Sequence, residues 1–124
     1  MIICHKTRIR ANEVADMKVI GDVEGKNIIV VDDMIDTAGT ICKAADMLMD
    51  NGAASVRAVA THAVLSGKAY ENIEKSKLTE VIFTDSIPQK QPCSKIKVLP
   101  IAPMFADTIR NIYEHKSISD HFLM

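Results

Sequence analysis

The stretch NIIVVDDMIDTAGT, residues 27–40, constrains this chain more than any other. It opens as an unbroken apolar, mostly β-branched run at 28–31 that closes on Asp32. Over 27–32 this reads as a strand buried on both faces, the pattern of a parallel sheet. Asp33 and Asp36 follow, and Thr37-Ala-Gly-Thr40 turns the chain into a helix. A strand that passes through a short turn into a helix sets that turn at the carboxyl edge of a sheet, where α/β proteins bind ligands. The backbone N–H groups of residues 37–41 are donors that the first turn of a helix leaves outside its ladder, and with the helix dipole they suit an anion. Gly39 permits close approach of the backbone. Thr37 and Thr40 add hydroxyls, and Thr40 is the candidate N-cap.

Acids beside a phosphate would repel it. The conflict goes away if the ligand is a sugar phosphate. The Thr-Ala-Gly-Thr turn then takes the phosphate, while Asp32 and Asp33 accept hydrogen bonds from sugar hydroxyls or act through Mg²⁺. Asp36 lies between them, near the phosphate end. The competing reading of the same residues is a solvated turn with an N-cap.

The rest of the chain supports an α/β domain. Residues 1–4 read as the tail of a strand, and 5–25 as a long polar segment, the kind of length that serves as a lid or flap. A β-hairpin with 17–23 as one arm fits within it. Ile41, Ala44, Ala45, Leu48 and Met49 recur on one helical face, and Asn51-Gly52 closes that helix. Strands follow at 55–62, 79–84 and 95–100, with helices over 68–74 and 103–113. Met104, Ile109, Ile112 and Tyr113 are the core candidates of the last helix, and 116–124 form a tail with an apolar end. Strands alternating with helices predict a mostly parallel sheet flanked by helices.

With 124 residues the chain is about one domain. Three Phe, two Tyr and no Trp mean that its core must be aliphatic. A net charge of −1 argues against electrostatic binding of nucleic acid. No run approaches the roughly 18 apolar residues of a membrane span. The start of the chain lacks the pattern of a signal peptide. Cys4, Cys42 and Cys93 are widely spaced with no CxxC, which fits reduced thiols in a cytoplasmic protein and reads Cys42 as a packing residue. His62, after a strand, reads as a polar edge residue, His5 as solvated, and Asp85-Ser86 as a turn.

Residues 28–40, IIVVDDMIDTAGT, resemble the phosphoribosyl-diphosphate binding motif of type I phosphoribosyltransferases, in the form found in ribose-phosphate diphosphokinases (phosphoribosyl-pyrophosphate synthetases). The resemblance continues through KxR at Lys6-Thr-Arg8, Ala11-Asn-Glu-Val14, Ile20-Gly-Asp-Val-Glu-Gly25, Asn51-Gly-Ala53, Thr61-His62, Leu65-Ser-Gly67, Thr84-Asp-Ser-Ile87 and Ser117-Ile-Ser119. It covers essentially the whole chain.

This resemblance implies a type I phosphoribosyltransferase-like, Rossmann-like three-layer fold and a reaction. The anomeric hydroxyl of ribose 5-phosphate attacks the β-phosphorus of Mg-ATP, giving phosphoribosyl diphosphate and AMP. Lys6 and Arg8 match the KxR of the family's flexible catalytic loop, placed here at 5–25, and Arg8 also meets the substrate. Asp32 and Asp33 match the ligands of the ribose hydroxyls, and Asp36, Thr37, Ala38, Gly39 and Thr40 match the cradle of the 5-phosphate. Mg²⁺ is implied as the cofactor, with no protein-held metal site assigned on this chain. Partners implied are ribose 5-phosphate, ATP and further copies of the chain in a homo-oligomer, with no nucleic acid and no membrane.

Family members are more than twice as long and have two similar halves; this sequence matches part of the C-terminal half. The chain is therefore expected to be a partial domain truncated at its N-terminus, inactive alone and in need of the missing N-terminal half. Two alternatives share the loop: a phosphoribosyltransferase acting on a base, and a non-catalytic sugar-phosphate-binding partner of the full-length enzyme.

Overall fold

The computed structural model describes the backbone of residues 3–10 and 13–119, and side chains from residue 21 to 119. Two strands, β1 (Ile3–Arg10) and β2 (Glu13–Ile20), pair antiparallel as a hairpin. The polar segment expected as a loop is therefore largely strand. Ile3, Thr7, Ile9, Val14 and Val19 supply β propensity that the interspersed charges conceal. A hairpin is present, but its second arm runs over Glu13–Ile20 rather than 17–23.

A four-stranded parallel sheet follows, made of β3 (Asn27–Ile35), β4 (Ser55–Ala63), β5 (Glu80–Thr84) and β6 (Ile96–Leu99), in that spatial order. Helix α1 (Gly39–Asp50) connects β3 to β4, and α2 (Ala69–Lys75) connects β4 to β5. Helix α3 (Ala102–Tyr113) comes last. The α/β class and the parallel sheet match the sequence-based expectation.

One face of the sheet is the core face. The register aligns Val30 with Ala58, Ala58 with Val81 and Val81 with Ile96. On this face Ile28, Val56, Ala60 and Phe83 pack with Ile41, Cys42, Ala45 and Leu48 of α1 and Ala69, Tyr70 and Ile73 of α2. Leu48, Ile73 and Val56 are fully buried, each worth roughly 1.5–3 kcal/mol relative to exposure. Cys42 is buried as a packing residue, and that burial pushes its thiol pKa up. Asn51 and Gly52 end α1, with Gly52 at φ 89° and its N–H donating to Met49 O at 3.0 Å.

The opposite face is open among the described residues. Ile29 is 63% exposed and Val31 75%, so β3 is buried on alternate residues rather than on both faces. None of α3's residues is buried: Met104, Ile109, Ile112 and Tyr113, expected in the core, stand exposed together with Phe105. Their helical spacing was read correctly, but none of them is buried against the described residues. The apolar end of the tail, 120–124, lies outside the described residues.

Candidate functional site

The four parallel strands end at one edge of the sheet, and the motif residues lie there at the end of β3, beside the ends of β4 and β5. β3 runs to Ile35, past the point where the apolar run predicts its end. Asp32 and Asp33 are thus strand residues, and only Asp36 is in the turn. Ile35 explains the extension: it pairs in register with Ala63 and is buried, which carries the ladder beyond the acids. Both strand carboxylates are solvent-exposed. Asp33 N–H donates to Asp32 Oδ1 at 2.9 Å, and Met34 N–H donates to Asp33 Oδ1 at 2.8 Å. These local bonds orient each carboxylate along the strand's end.

The turn into α1 is made by Ala38, in the left-handed region at φ 60°, ψ 0°. It is the N-cap of α1, without a side-chain capping bond, so Thr40 is a first-turn residue rather than the cap. Left-handed backbone on a residue with a Cβ costs on the order of 1–2 kcal/mol. Ala38 is 4% exposed, so burial of its methyl group offsets part of that cost. Gly39 is not in the left-handed region; a Cβ there would meet only Thr37 Oγ1, at 3.8 Å. The glycine is thus not required by the backbone, and the space beside it is open. The helical ladder begins with Cys42 N–H donating to Ala38 O at 3.0 Å, which leaves first-turn amides such as those of Gly39 and Ile41 directed out of the helix end.

A second loop grips this turn. Leu65, at φ 45° and 2% exposed, donates its N–H to Ile35 O at 3.1 Å. Ser66 N–H donates to Asp36 O at 3.1 Å, and Ser66 Oγ donates to the Asp36 carboxylate. Asn72 Nδ2, on α2, donates to Thr37 O at 3.0 Å. In the sequence Leu65-Ser-Gly67 stands out only through the family resemblance, with no role for Ser66, and Asn72 does not stand out at all. Ser66 is 30 residues from Asp36 and Asn72 35 from Thr37, separations at which no local pattern operates.

His62 lies in register with Met34, next to Asp33, and its Nδ1 is 2.9 Å from Ser86 Oγ. Ser86 Oγ also donates to Thr61 O at 3.0 Å. Asp85 N–H donates to Leu99 O, and Asp85 Oδ1 accepts from Ile101 N–H. The readings of His62 as a polar edge residue and of Asp85-Ser86 as a turn agree with this. Lys6 and Arg8 lie on β1, in register with Met17 and Val14. Their side chains, and those of Cys4 and His5, are outside the described residues, as is His121.

Among the described residues no three His, Cys, Asp or Glu side chains converge as a metal cage. An exposed carboxylate such as that of Asp32 or Asp33 would suffice for a largely hydrated Mg²⁺ that arrives with phosphate ligands, which needs only one or two carboxylates. No helix among the described residues is long and apolar enough to cross a membrane.

Residues 5–123 match the family model of the phosphoribosyl synthetase-associated domain. A ribose-phosphate pyrophosphokinase of Helicobacter hepaticus is 55% identical over 98% of this chain and 40% of its own length. One from Porphyromonas gingivalis is 52% identical over 96% of this chain and 38% of its own length. The crystal structure of phosphoribosylpyrophosphate synthetase from Mycobacterium smegmatis superposes with a TM-score of 0.80 at 40% identity, over 92% of this chain and 37% of that one. The chain thus spans about 40% of the length of the curated relatives it matches. On the family match and these identities, the chain belongs to the phosphoribosyl synthetase-associated domain family.

Proposed function

We propose that this chain is the ribose 5-phosphate-binding portion of a ribose-phosphate diphosphokinase. The observation that carries the reading is the order of groups along the carboxyl edge: Asp32 and Asp33 exposed at the end of β3, then a helix end opened by left-handed Ala38. Hydroxyl-accepting carboxylates at one end and outward amides at the other suit one bound sugar phosphate. The names of the relatives support diphosphate transfer over transfer of ribose to a base.

In the proposed reaction the anomeric hydroxyl of ribose 5-phosphate attacks the β-phosphorus of ATP; the bond from that phosphorus to the α-phosphate bridge breaks and AMP leaves. Mg²⁺, bound with the nucleotide, supplies charge neutralisation. The turn at 36–40 holds the 5-phosphate, and Asp32 and Asp33 orient the ribose by its hydroxyls. Lys6 and Arg8 offer positive charge to the migrating diphosphoryl group from the 5–25 segment, and Arg8 also meets the substrate. Charge and positioning of this kind carry most of the catalysis in phosphoryl-type transfer. The remaining groups for ATP belong to the rest of a family-length polypeptide. A cytoplasmic homo-oligomer completes the reading.

Isothermal calorimetry with ribose 5-phosphate tests it. The chain is expected to bind the sugar phosphate, and Asp32→Asn to weaken it by about tenfold through loss of charge-assisted hydrogen bonds worth roughly 1.5 kcal/mol. Equal heats for wild type and variant would contradict the assignment.

A further inference from the structure

The bonds between the β4–α2 segment and the turn after β3 have a specific geometric consequence. Leu65 N–H, Ser66 N–H and Asn72 Nδ2 take up the carbonyls of three successive residues, Ile35, Asp36 and Thr37. No cis peptide bond occurs among the described residues. In a trans peptide the C=O and the following N–H point in opposite directions. Turning those three carbonyls toward the β4–α2 segment therefore turns the N–H groups of Asp36, Thr37 and Ala38 away from it. They join the first-turn amides of α1 on the outer side of the turn. A row of outward amides of this kind is an anion-binding nest.

From this geometry we infer that Ser66 and Asn72 are positioning residues: they lock the peptide planes between Ile35 and Ala38 with their amides facing the phosphate. The inference rests on the proposed sugar-phosphate reading of the turn and adds to it the device that shapes the cradle. Two residues forced into the left-handed region, Ala38 at φ 60° and Leu65 at φ 45°, sit one on each loop, and both are buried. Strained backbone persists only where its surroundings over-determine it. Here the interlocking bonds do so. Ser66 acts twice, through its amide on Asp36 O and through its hydroxyl on the Asp36 carboxylate, so it also holds that carboxylate toward the β4–α2 segment. That arrangement bears on the repulsion noted from sequence: one of the three carboxylates, though exposed, is engaged by a hydroxyl of the protein. Asn72 reaches the last of the three carbonyls from α2 and ties the helix to the phosphate turn.

The test uses the full chain with Ser66→Ala, Asn72→Ala and the hydroxyl-retaining Ser66→Thr. Backbone ¹⁵N order parameters are measured without ligand, and calorimetry is run with ribose 5-phosphate and with inorganic phosphate. In wild type, residues 36–38 should be as rigid as β4, at about 0.85. Asn72→Ala should lower them toward about 0.6 while leaving β4 unchanged; Ser66→Ala, which keeps the backbone bond to Asp36 O and loses only the hydroxyl on the Asp36 carboxylate, should loosen residue 36. Affinity for both ligands should fall roughly three- to tenfold, as loss of one hydrogen bond predicts. Ser66→Thr should restore both order and affinity. Order parameters at 36–38 that stay at wild-type values in the alanine variants would overturn the inference. So would an equal loosening of β4, because the bonds would then support only the fold. If the turn loosens as expected but wild type binds neither ligand, the positioning role stands and the sugar-phosphate reading fails.

Discussion

Ala38 and Gly39 divide the work of the turn in a way their sequence order conceals. Glycine is the residue expected to take unusual backbone geometry, yet the left-handed position is Ala38, and Gly39 has space beside it for a Cβ. The two demands on this turn are therefore separable. Gly39→Ala should leave stability unchanged or raise it by about 0.4–1 kcal/mol, since alanine narrows the unfolded ensemble and suits a helix start. The same methyl group should obstruct a phosphate approaching the amides. Thermal melts and calorimetry on one preparation check both halves, and a variant that melts with wild type yet binds ribose 5-phosphate as tightly would refute the obstruction. The identities of the motif residues were legible in sequence because chemistry attaches to residue type. The left-handed residue was not, because the two residues before it, Asp36 and Thr37, are held by neighbours 30 and 35 residues away.

Among the elements, β3 shows how far local pattern reaches. Its apolar run identified a parallel-sheet strand, but the end at Ile35 and the exposure of Ile29 and Val31 depend on what lies alongside. The open face also carries an ion pair network: Glu80 on β5 accepts from Arg57 Nε on β4 at 2.8 Å and pairs with Lys97 Nζ on β6 at 2.6 Å. Lys97 first, then Arg57, hold the Glu80 carboxyl below its ordinary pKa. A lowered folded-state pKa stabilises the fold above the unfolded value, near 4.3 for Glu, and that contribution fades as pH falls through the folded pKa. Glu80→Gln should therefore melt below wild type at neutral pH, with the two curves converging as the pH falls below the unfolded-state value and through the lowered folded one. A gap that stays constant with pH would show that the pairing across the three strands is not its source. The helices α1 and α2 were placed from their periodicity to within a residue or two, the usual uncertainty of helix ends.

For the whole molecule, the decisive feature is that one face of the sheet is covered and the other is not. Ile29, Val31 and Leu99, with Met104, Phe105, Ile109, Ile112 and Tyr113 of α3, leave more apolar surface open than scattered surface residues would. β3 is also the edge of the four-stranded sheet among the described residues, and such an edge offers unpaired backbone groups. The chain purified alone should sediment as a concentration-dependent mixture of species and bind a hydrophobic dye. Replacing Ile29 and Val31 together by Thr should shift it toward monomer mass with the fold retained, since Thr keeps β propensity without the apolar surface. A single monomeric species at every concentration in wild type would contradict this.

The sequence by itself determined the α/β class, the order of strands and helices and the family, and it singled out the residues proposed to hold the sugar phosphate. All of these are carried by residue type and short-range periodicity, which need no partner to be read. Tertiary structure alone decided which residue of the turn is left-handed, which way its peptides face, which face of β3 is open and whether α3 has anything to pack on. Each of those depends on contacts between segments far apart in the chain. The loop that opened as a strand, three acids and a turn is, in three dimensions, a turn held in shape by Ser66 and Asn72 from across the sheet's edge.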